Sequence, residues 1–147
     1  MTVADGSEPE RLGLRYLVLA QQVRKVLDKH MVSSGLSLAR WKVLEVLEGT
    51  GSIRQTALAQ ELGFAPRSVT QAVESLASDG LVERTPDPDD GRAKLVALTD
   101  EGAAALAAGT KAGEHMLRQI FGALDRKQLA RLDEILRVID DTTGELS

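Results

Sequence analysis

The stretch Ala65–Gly102, APRSVTQAVESLASDGLVERTPDPDDGRAKLVALTDEG, reads as a helix, a β-strand, a polar tip, a second strand and the start of another helix. Pro66 can open the first helix, because at the first helical position its missing N–H has no partner to lose. Val69, Ala72, Val73, Leu76 and Ala77 recur at helical spacing and mark a core-facing stripe. The same periodicity leaves Arg67, Ser68, Thr70, Gln71 and Glu74 on the outside. Gly80 follows Asp79 where a left-handed helix end is wanted, and Leu81-Val82-Glu83-Arg84 starts a strand. Thr85 to Arg92 hold two prolines, three aspartates and an Asp90-Gly91 pair, the composition of a hairpin tip. Lys94 to Leu98 returns as the second strand. Thr99 can cap a new helix, and Asp100 and Glu101 in its first turn suit the helix dipole.

Immediately upstream, GSIRQTALAQELGFAP supplies a short helix with Leu58, Ala59 and Leu62 inward, ended by Gly63. Two helices joined by Gly63-Phe64-Ala65 make a helix-turn-helix, and the hairpin beside it makes it winged. The run Gly80-Leu81-Val82-Glu83-Arg84, then Asp87, Asp89 and Arg92, then Val96, Leu98-Thr99 and Gly102 resembles the signature of MarR-type transcriptional regulators. The resemblance extends, by order and length of elements, over roughly residues 10 to 140, and is most specific in the wing. It implies an interlocked homodimer that binds duplex DNA. It also implies release by a small anionic or aromatic ligand held between dimerisation helices and DNA-binding lobe.

Working outward, residues 1–9 are polar and carry Gly6 and Pro9, which predicts a disordered N-terminus. From Glu10 to about Val32 the pattern is helical. Leu12, Tyr16, Leu19, Val23 and Leu27 fall on one face, and Leu14, Leu17 and Val18 add apolar surface on another. Such a helix needs more than one packing partner, which a second subunit can supply. Ser33-Ser34-Gly35 breaks the chain, Ser37 can cap the next helix, and Val43, Leu44 and Leu47 with Trp41 turn it inward until Gly49 and Gly51. Ser52-Ile53 can add a third short strand. After the wing, an alanine-rich helix to about Gly122 holds Gly109 and Gly113, each of which costs about 1 kcal/mol against alanine unless close packing compensates. Asp125 with Gln128 forms a capping box, and Leu129, Leu132, Ile135, Leu136 and Ile139 define an apolar stripe to about Asp140. The expected fold is mainly α with a small antiparallel β-hairpin, a winged helix-turn-helix over 36–100 between dimerisation helices at 10–35 and 101–141. A flexible C-terminus is expected at 142–147.

With 147 residues the chain is long enough for one core. It has no cysteine, which removes disulfides, thiolate metal sites and oxidant sensing through a thiol. No apolar run approaches the roughly 20 residues of a membrane span, and MTVADGSEPE lacks a signal-peptide pattern, so no membrane partner and a cytoplasmic location are expected. The net charge is −4, and residues 37–98 hold seven basic against nine acidic side chains. DNA binding therefore requires the basic residues to cluster on one face. No catalytic constellation appears: a phosphate-binding Gly-x-x-x-x-Gly-Lys and a Gly-x-Ser-x-Gly are both absent. No cofactor is expected. The Asp87–Gly91 loop lacks the spaced ligands of a calcium site, and His30 and His115 stand without metal-ligand spacing, so no metal is expected either.

Arg67, Ser68, Thr70 and Gln71 lie on the turns of a helix-turn-helix that enter the major groove, where Gln matches adenine and Arg matches guanine. The competing reading of each is a solvated helix face. Glu74 is suited to accept from cytosine or from a neighbouring side chain. Arg92 at the wing tip carries no core duty and is free for a minor groove, with Asp89 or Asp90 available to orient it. Lys94 is a second wing candidate. Arg54, Gln55 and Arg84 are candidates for the DNA backbone; Arg54 also stands where a capping Ser or Thr is usual, and Arg84 can instead tie the strands to the wing aspartates. The family resemblance makes Tyr16, Arg24 (or Arg15), His30 and Trp41 candidates for an effector pocket, against core packing for Tyr16 and Trp41. A winged-helix protein-interaction module without specific DNA binding is the alternative that the acidic balance keeps open.

Overall fold

The computed structural model describes residues 8–147. In chain order its elements are α1 (Glu8–Ser33), α2 (Leu38–Thr50), β1 (Ile53–Arg54), α3 (Gln55–Leu62), α4 (Pro66–Ser78), β2 (Val82–Pro86), β3 (Lys94–Leu98), α5 (Asp100–Phe121) and α6 (Arg126–Leu146). They fall into two compact units, the first ending at Gly113 and the second covering Glu114–Ser147.

The core of the first unit is where the sequence periodicity points. Val69, Val73 and Leu76 of α4 meet Val43, Leu44 and Leu47 of α2, Leu58 of α3, and Val82 and Val96 of the sheet, all buried. Each such side chain contributes about 1.5–3 kcal/mol relative to exposure. Ser37 caps α2 by accepting the Arg40 N–H at 3.2 Å, and the Asp28 carboxylate of α1 accepts the Leu38 N–H at 2.9 Å. Gly63 and Gly80 both take the left-handed conformation that ends a helix, at φ 65° and 75°.

The sheet is antiparallel in the order β1-β3-β2, with Ile53 opposite Val96 and Val82 opposite Leu98. The tip is shorter than the sequence suggests. Thr85 and Pro86 continue β2, and Pro86 pairs with Lys94. A proline is tolerated there because β2 is an edge strand with an outward N–H position to leave empty. The tip itself runs from Asp87 to Ala93, closed by the Asp87 N–H donating to the Ala93 carbonyl at 3.0 Å.

The opening of α5 is locked to the end of α4. Thr99 donates its hydroxyl to the Gly80 carbonyl at 2.6 Å and accepts the Gly102 N–H at 3.0 Å. A Cβ on Gly102 would strike the Leu81 carbonyl oxygen. At Gly109 a Cβ would come within 2.9 Å of Leu36 Cδ2 and 3.3 Å of Trp41 Cδ1. Close packing thus accounts for two small residues in α5.

Two helix boundaries differ from the sequence expectation. Glu8 and Pro9 already belong to α1, Pro9 in a first turn that needs no N–H from it; the rest of the expected disordered segment, residues 1–7, lies outside the described residues. At the other end α6 runs to Leu146 through the segment expected to be flexible. The Thr142 and Thr143 hydroxyls donate to the Val138 and Ile139 carbonyls at 2.8 and 2.7 Å, and Gly144 alone does not stop a helix this near its end. The α6 start is as expected, with Asp125 and Gln128 in a reciprocal capping box. No residue of α6 is buried, and Leu129, Ile135, Leu136 and Ile139 stand exposed.

Candidate nucleic-acid interface

The second helix of the helix-turn-helix, α4, begins at Pro66 after Ala65, whose carbonyl accepts the Val69 N–H at 3.1 Å. With Val69 and Val73 committed to the core, Arg67, Ser68 and Gln71 face outward and are exposed. Thr70 behaves differently. It is half-buried, donates its hydroxyl to the Pro66 carbonyl at 3.0 Å and accepts from Gln55 Nε2 at 3.0 Å. The hydroxyl thus donates and accepts within the protein, so Thr70 and Gln55 hold each other, and Arg67, Ser68 and Gln71 remain as the outward polar side chains of the first turns of α4.

The wing tip is organised by its aspartates. Asp87 Oδ1 accepts the Asp89 N–H at 2.9 Å and Asp90 Oδ1 accepts the Arg92 N–H at 3.1 Å, two side-chain-built turns in succession. Asp87 is only 7% exposed, the one charged side chain buried to that degree among the described residues. Its Oδ2 receives Arg54 Nε at 2.7 Å. The Asp89 N–H is the strongest influence holding the Asp87 carboxyl below its usual range; desolvation opposes it, and the Arg54 guanidinium and the Asp90 N–H add to the lowering.

These contacts reassign three residues. Arg54 pairs with the wing through Asp87, filling the role suggested for Arg84. Arg84 sits exposed on β2, opposite Val96, and has no carboxylate partner among the described residues. Neither Asp89 nor Asp90 orients the Arg92 side chain: Asp90 takes the Arg92 backbone N–H instead, because a two-residue reach closes a tight turn. The guanidinium of Arg92, like Arg67 and Lys94, forms no ion pair among the described residues. With Arg84, four exposed cations on α4 and the wing therefore have no acidic partner among the described residues.

Missed by the sequence reading is Arg40, whose guanidinium binds the Asp79 carboxylate at the end of α4 at 2.6 Å and so fixes α4 to α2. Helical periodicity places Arg40 on a face but carries no sign of a partner 39 residues on.

The four effector candidates do not converge. Arg24 lines a cleft of about 370 Å³ with Lys25, Asp28, Leu38, Lys42 and Phe64. Trp41 instead donates its indole N–H to Thr110 at 2.8 Å. His30 bonds through Nδ1 to the Val26 carbonyl at 2.9 Å, and Tyr16 is exposed on α1. Among the described residues no three acidic or histidine side chains gather as metal ligands.

A model of the MarR family matches residues 34–93, the helix-turn-helix and most of the wing. Over 146 residues the chain is 32% identical to an HTH-type transcriptional regulator of Mycobacterium leprae and 30% identical to one of Mycobacterium tuberculosis. Each alignment covers 97% of this chain and 99% of the relative. Among solved structures, wild-type MarR from Escherichia coli in its apo form is similar with a TM-score of 0.78 at 26% identity, over 87% of this chain and 95% of that one. A mutant MarR from E. coli complexed with operator DNA gives 0.74, also at 26% identity, over 88% and 93%. Sequence signature, element order and shape agree, and the chain belongs to the MarR family of winged helix-turn-helix transcriptional regulators, which are DNA-binding proteins and not enzymes.

Proposed function

We propose that this protein is a homodimeric, cytoplasmic repressor of a pseudo-palindromic operator, released from DNA by a small anionic or aromatic ligand. The observation that carries the reading is the exposed set Arg67, Ser68 and Gln71 on α4 with Arg92 on the wing, none of which has a core duty or an acidic partner among the described residues. Gln71 and Arg67 suit base edges in a major groove, and Arg92 suits a narrow minor groove. Lys94 and Arg84 add positive charge for phosphates. A MarR protein of the same fold is known in complex with operator DNA.

Dimerisation is supported by apolar side chains that stand exposed among the described residues. On α1, Leu12, Tyr16, Leu17, Val18 and Leu19 are exposed, and α6 exposes Leu129, Ile135, Leu136, Val138 and Ile139. Monomeric proteins rarely leave contiguous apolar faces of that kind. The cytoplasmic assignment is supported by the absence, among the described residues, of any helix long and apolar enough to cross a membrane. The ligand part rests on family resemblance and on the cleft beside Arg24, where Lys25 and Lys42 add positive charge and Leu38 and Phe64 add apolar surface.

Sedimentation of the protein with a promoter duplex tests the assembly. The expected complex holds two protomers on one duplex, with two half-sites about one helical turn apart; a single protomer on the duplex would contradict it. Benzoate serves as a probe of release. It is expected to weaken the complex, and unchanged affinity at saturating benzoate would count against an anionic aromatic effector.

A further inference from the structure

Arg54 and Gln55 are consecutive residues at the junction of β1 and α3, and their side chains reach in different directions to the two DNA-facing elements. Arg54 Nε binds Asp87 Oδ2 at the base of the wing tip at 2.7 Å, and Gln55 Nε2 donates to Thr70 Oγ1 on α4 at 3.0 Å. We propose that this dipeptide is a positioning brace that sets the wing tip relative to the recognition helix, rather than a contact to DNA phosphates. The brace serves the DNA-binding reading and rests on it.

Both ends of the brace are themselves held. Asp87 is fixed by the Asp89 N–H on its second oxygen and by its own N–H on the Ala93 carbonyl. Thr70 is fixed by its bond to Pro66, at the first turn of α4. In the middle, Arg54 is paired in the sheet opposite Leu95 and its successor begins a helix, so the backbone between the two side chains has little freedom. The result is a path from the wing turn to the start of the recognition helix, made of side-chain hydrogen bonds at either end and the Arg54–Gln55 backbone between them. A two-stranded ribbon is otherwise weakly constrained and readily twisted. Without Arg54, the tip that carries Arg92 keeps, among the described residues, its internal turn bonds and its ladder between β2 and β3. Base readout depends on placing short-range donors and acceptors together, so the spacing of Arg92 from Arg67 and Gln71 bears on specificity.

Arg54 is the N-cap of α3 and makes no capping bond. Its side chain is 48% exposed, and Asp87 is its only acidic partner among the described residues. A phosphate contact and a brace predict opposite signs at Asp87. Removing a negative charge close to DNA strengthens binding to any duplex, whereas losing the brace weakens binding to the correct one.

The test compares wild type, Asp87→Asn, Arg54→Gln, Gln55→Ala and the double variant Arg54→Gln/Asp87→Asn on promoter duplex and random duplex across a salt series. The double variant removes one charge of each sign and keeps the net charge. Each of Asp87→Asn and Arg54→Gln is expected to lose about tenfold in specific affinity, and the double variant no more than either single change, as for residues acting as one contact. The salt dependence of the double variant is expected to match wild type. Tighter promoter binding by Asp87→Asn, or a salt slope reduced by about 0.9 per protomer in the double variant, would overturn the brace in favour of phosphate contact.

Hydrogen exchange without DNA gives an independent arm. The Asp89 and Ala93 amides are expected to exchange faster in Arg54→Gln, and the Val69 amide faster in Gln55→Ala; unchanged exchange at these amides in correctly folded variants would also overturn the proposal. If wild type fails to distinguish promoter from random duplex, the operator reading fails while the exchange arm still decides the brace.

Discussion

Trp41 of α2 donates its indole N–H to the hydroxyl of Thr110 of α5 at 2.8 Å, joining residues 69 positions apart in sequence. The bond lies beside Gly109, where the absence of a side chain lets α5 approach Trp41 and Leu36. Thr110→Val keeps the shape and removes the acceptor. Urea denaturation is expected to show a loss of about 1–3 kcal/mol, toward the lower end because Trp41 is only half-buried, with Thr110→Ser close to wild type. Equal stability of the valine and serine variants would mean that water replaces the bond.

Gly113 and Gly109, both inside α5, are predicted to respond differently to alanine. At Gly113 a Cβ would meet Met31 Sδ at 3.6 Å and Leu27 Cδ1 at 3.8 Å, ordinary contact distances. Gly113→Ala should gain up to about 1 kcal/mol of helix propensity, or ~2–4 °C in Tm for a chain of this size. Gly109→Ala brings the same gain against the 2.9 Å approach to buried Leu36, and overpacking of that kind costs about 1–3 kcal/mol. Its Tm is expected to fall or stay level, and calorimetry of the two variants together reads the contrast.

Asp87 sets a pH dependence with a definite sign. Its carboxyl titrates below the usual range in the folded protein, chiefly through the Asp89 N–H, so the folded state favours the charged form. That contribution is complete above the ordinary aspartate range and is lost as pH falls through the lowered folded value. The stability difference between wild type and Asp87→Asn is therefore expected to be constant around neutrality and to shrink on acidification below that range. A difference that grows in acid would mean that desolvation, not hydrogen bonding, dominates at Asp87.

On α4, Gln71 is exposed while Thr70 is turned to Gln55 and Pro66. Gln71→Ala is expected to lower discrimination between promoter and altered half-sites by about 1–3 kcal/mol while leaving binding to random duplex nearly unchanged. Thr70→Val, which breaks the brace without removing a groove-facing group, should reduce promoter affinity without changing which bases are preferred. Competition binding with half-site variants separates the two patterns.

The fold was legible because its signals are local. Pro66, Gly63, Gly80, Ser37, Thr99 and Asp125 mark element ends through backbone conformations and caps that act within a few residues, and the burial of Val69, Val73 and Leu76 follows from helical period alone. The functional surface was legible only as a set of outward residue types. Which cation meets which aspartate depends on β1 pairing with β3, which brings Arg54 within reach of Asp87 across 33 positions; the linear order instead suggested Arg84 or Arg92 as partners. Arg40 with Asp79 is hidden for the same reason. The far end of α6 extends past the apolar stripe that marks it in sequence, and there the Thr142 and Thr143 hydroxyls bond back to the preceding turn.

The most direct test of the account is equilibrium binding of the purified protein to duplex from its own promoter region and to random duplex of equal length, across salt, for wild type and Arg92→Ala. The account predicts that wild type prefers the promoter, that its affinity falls steeply with salt, and that Arg92→Ala loses much of the preference. Wild-type binding that does not distinguish the two duplexes, with no effect of Arg92→Ala, would contradict operator recognition through the wing and turn attention to the winged surface as a protein-binding face.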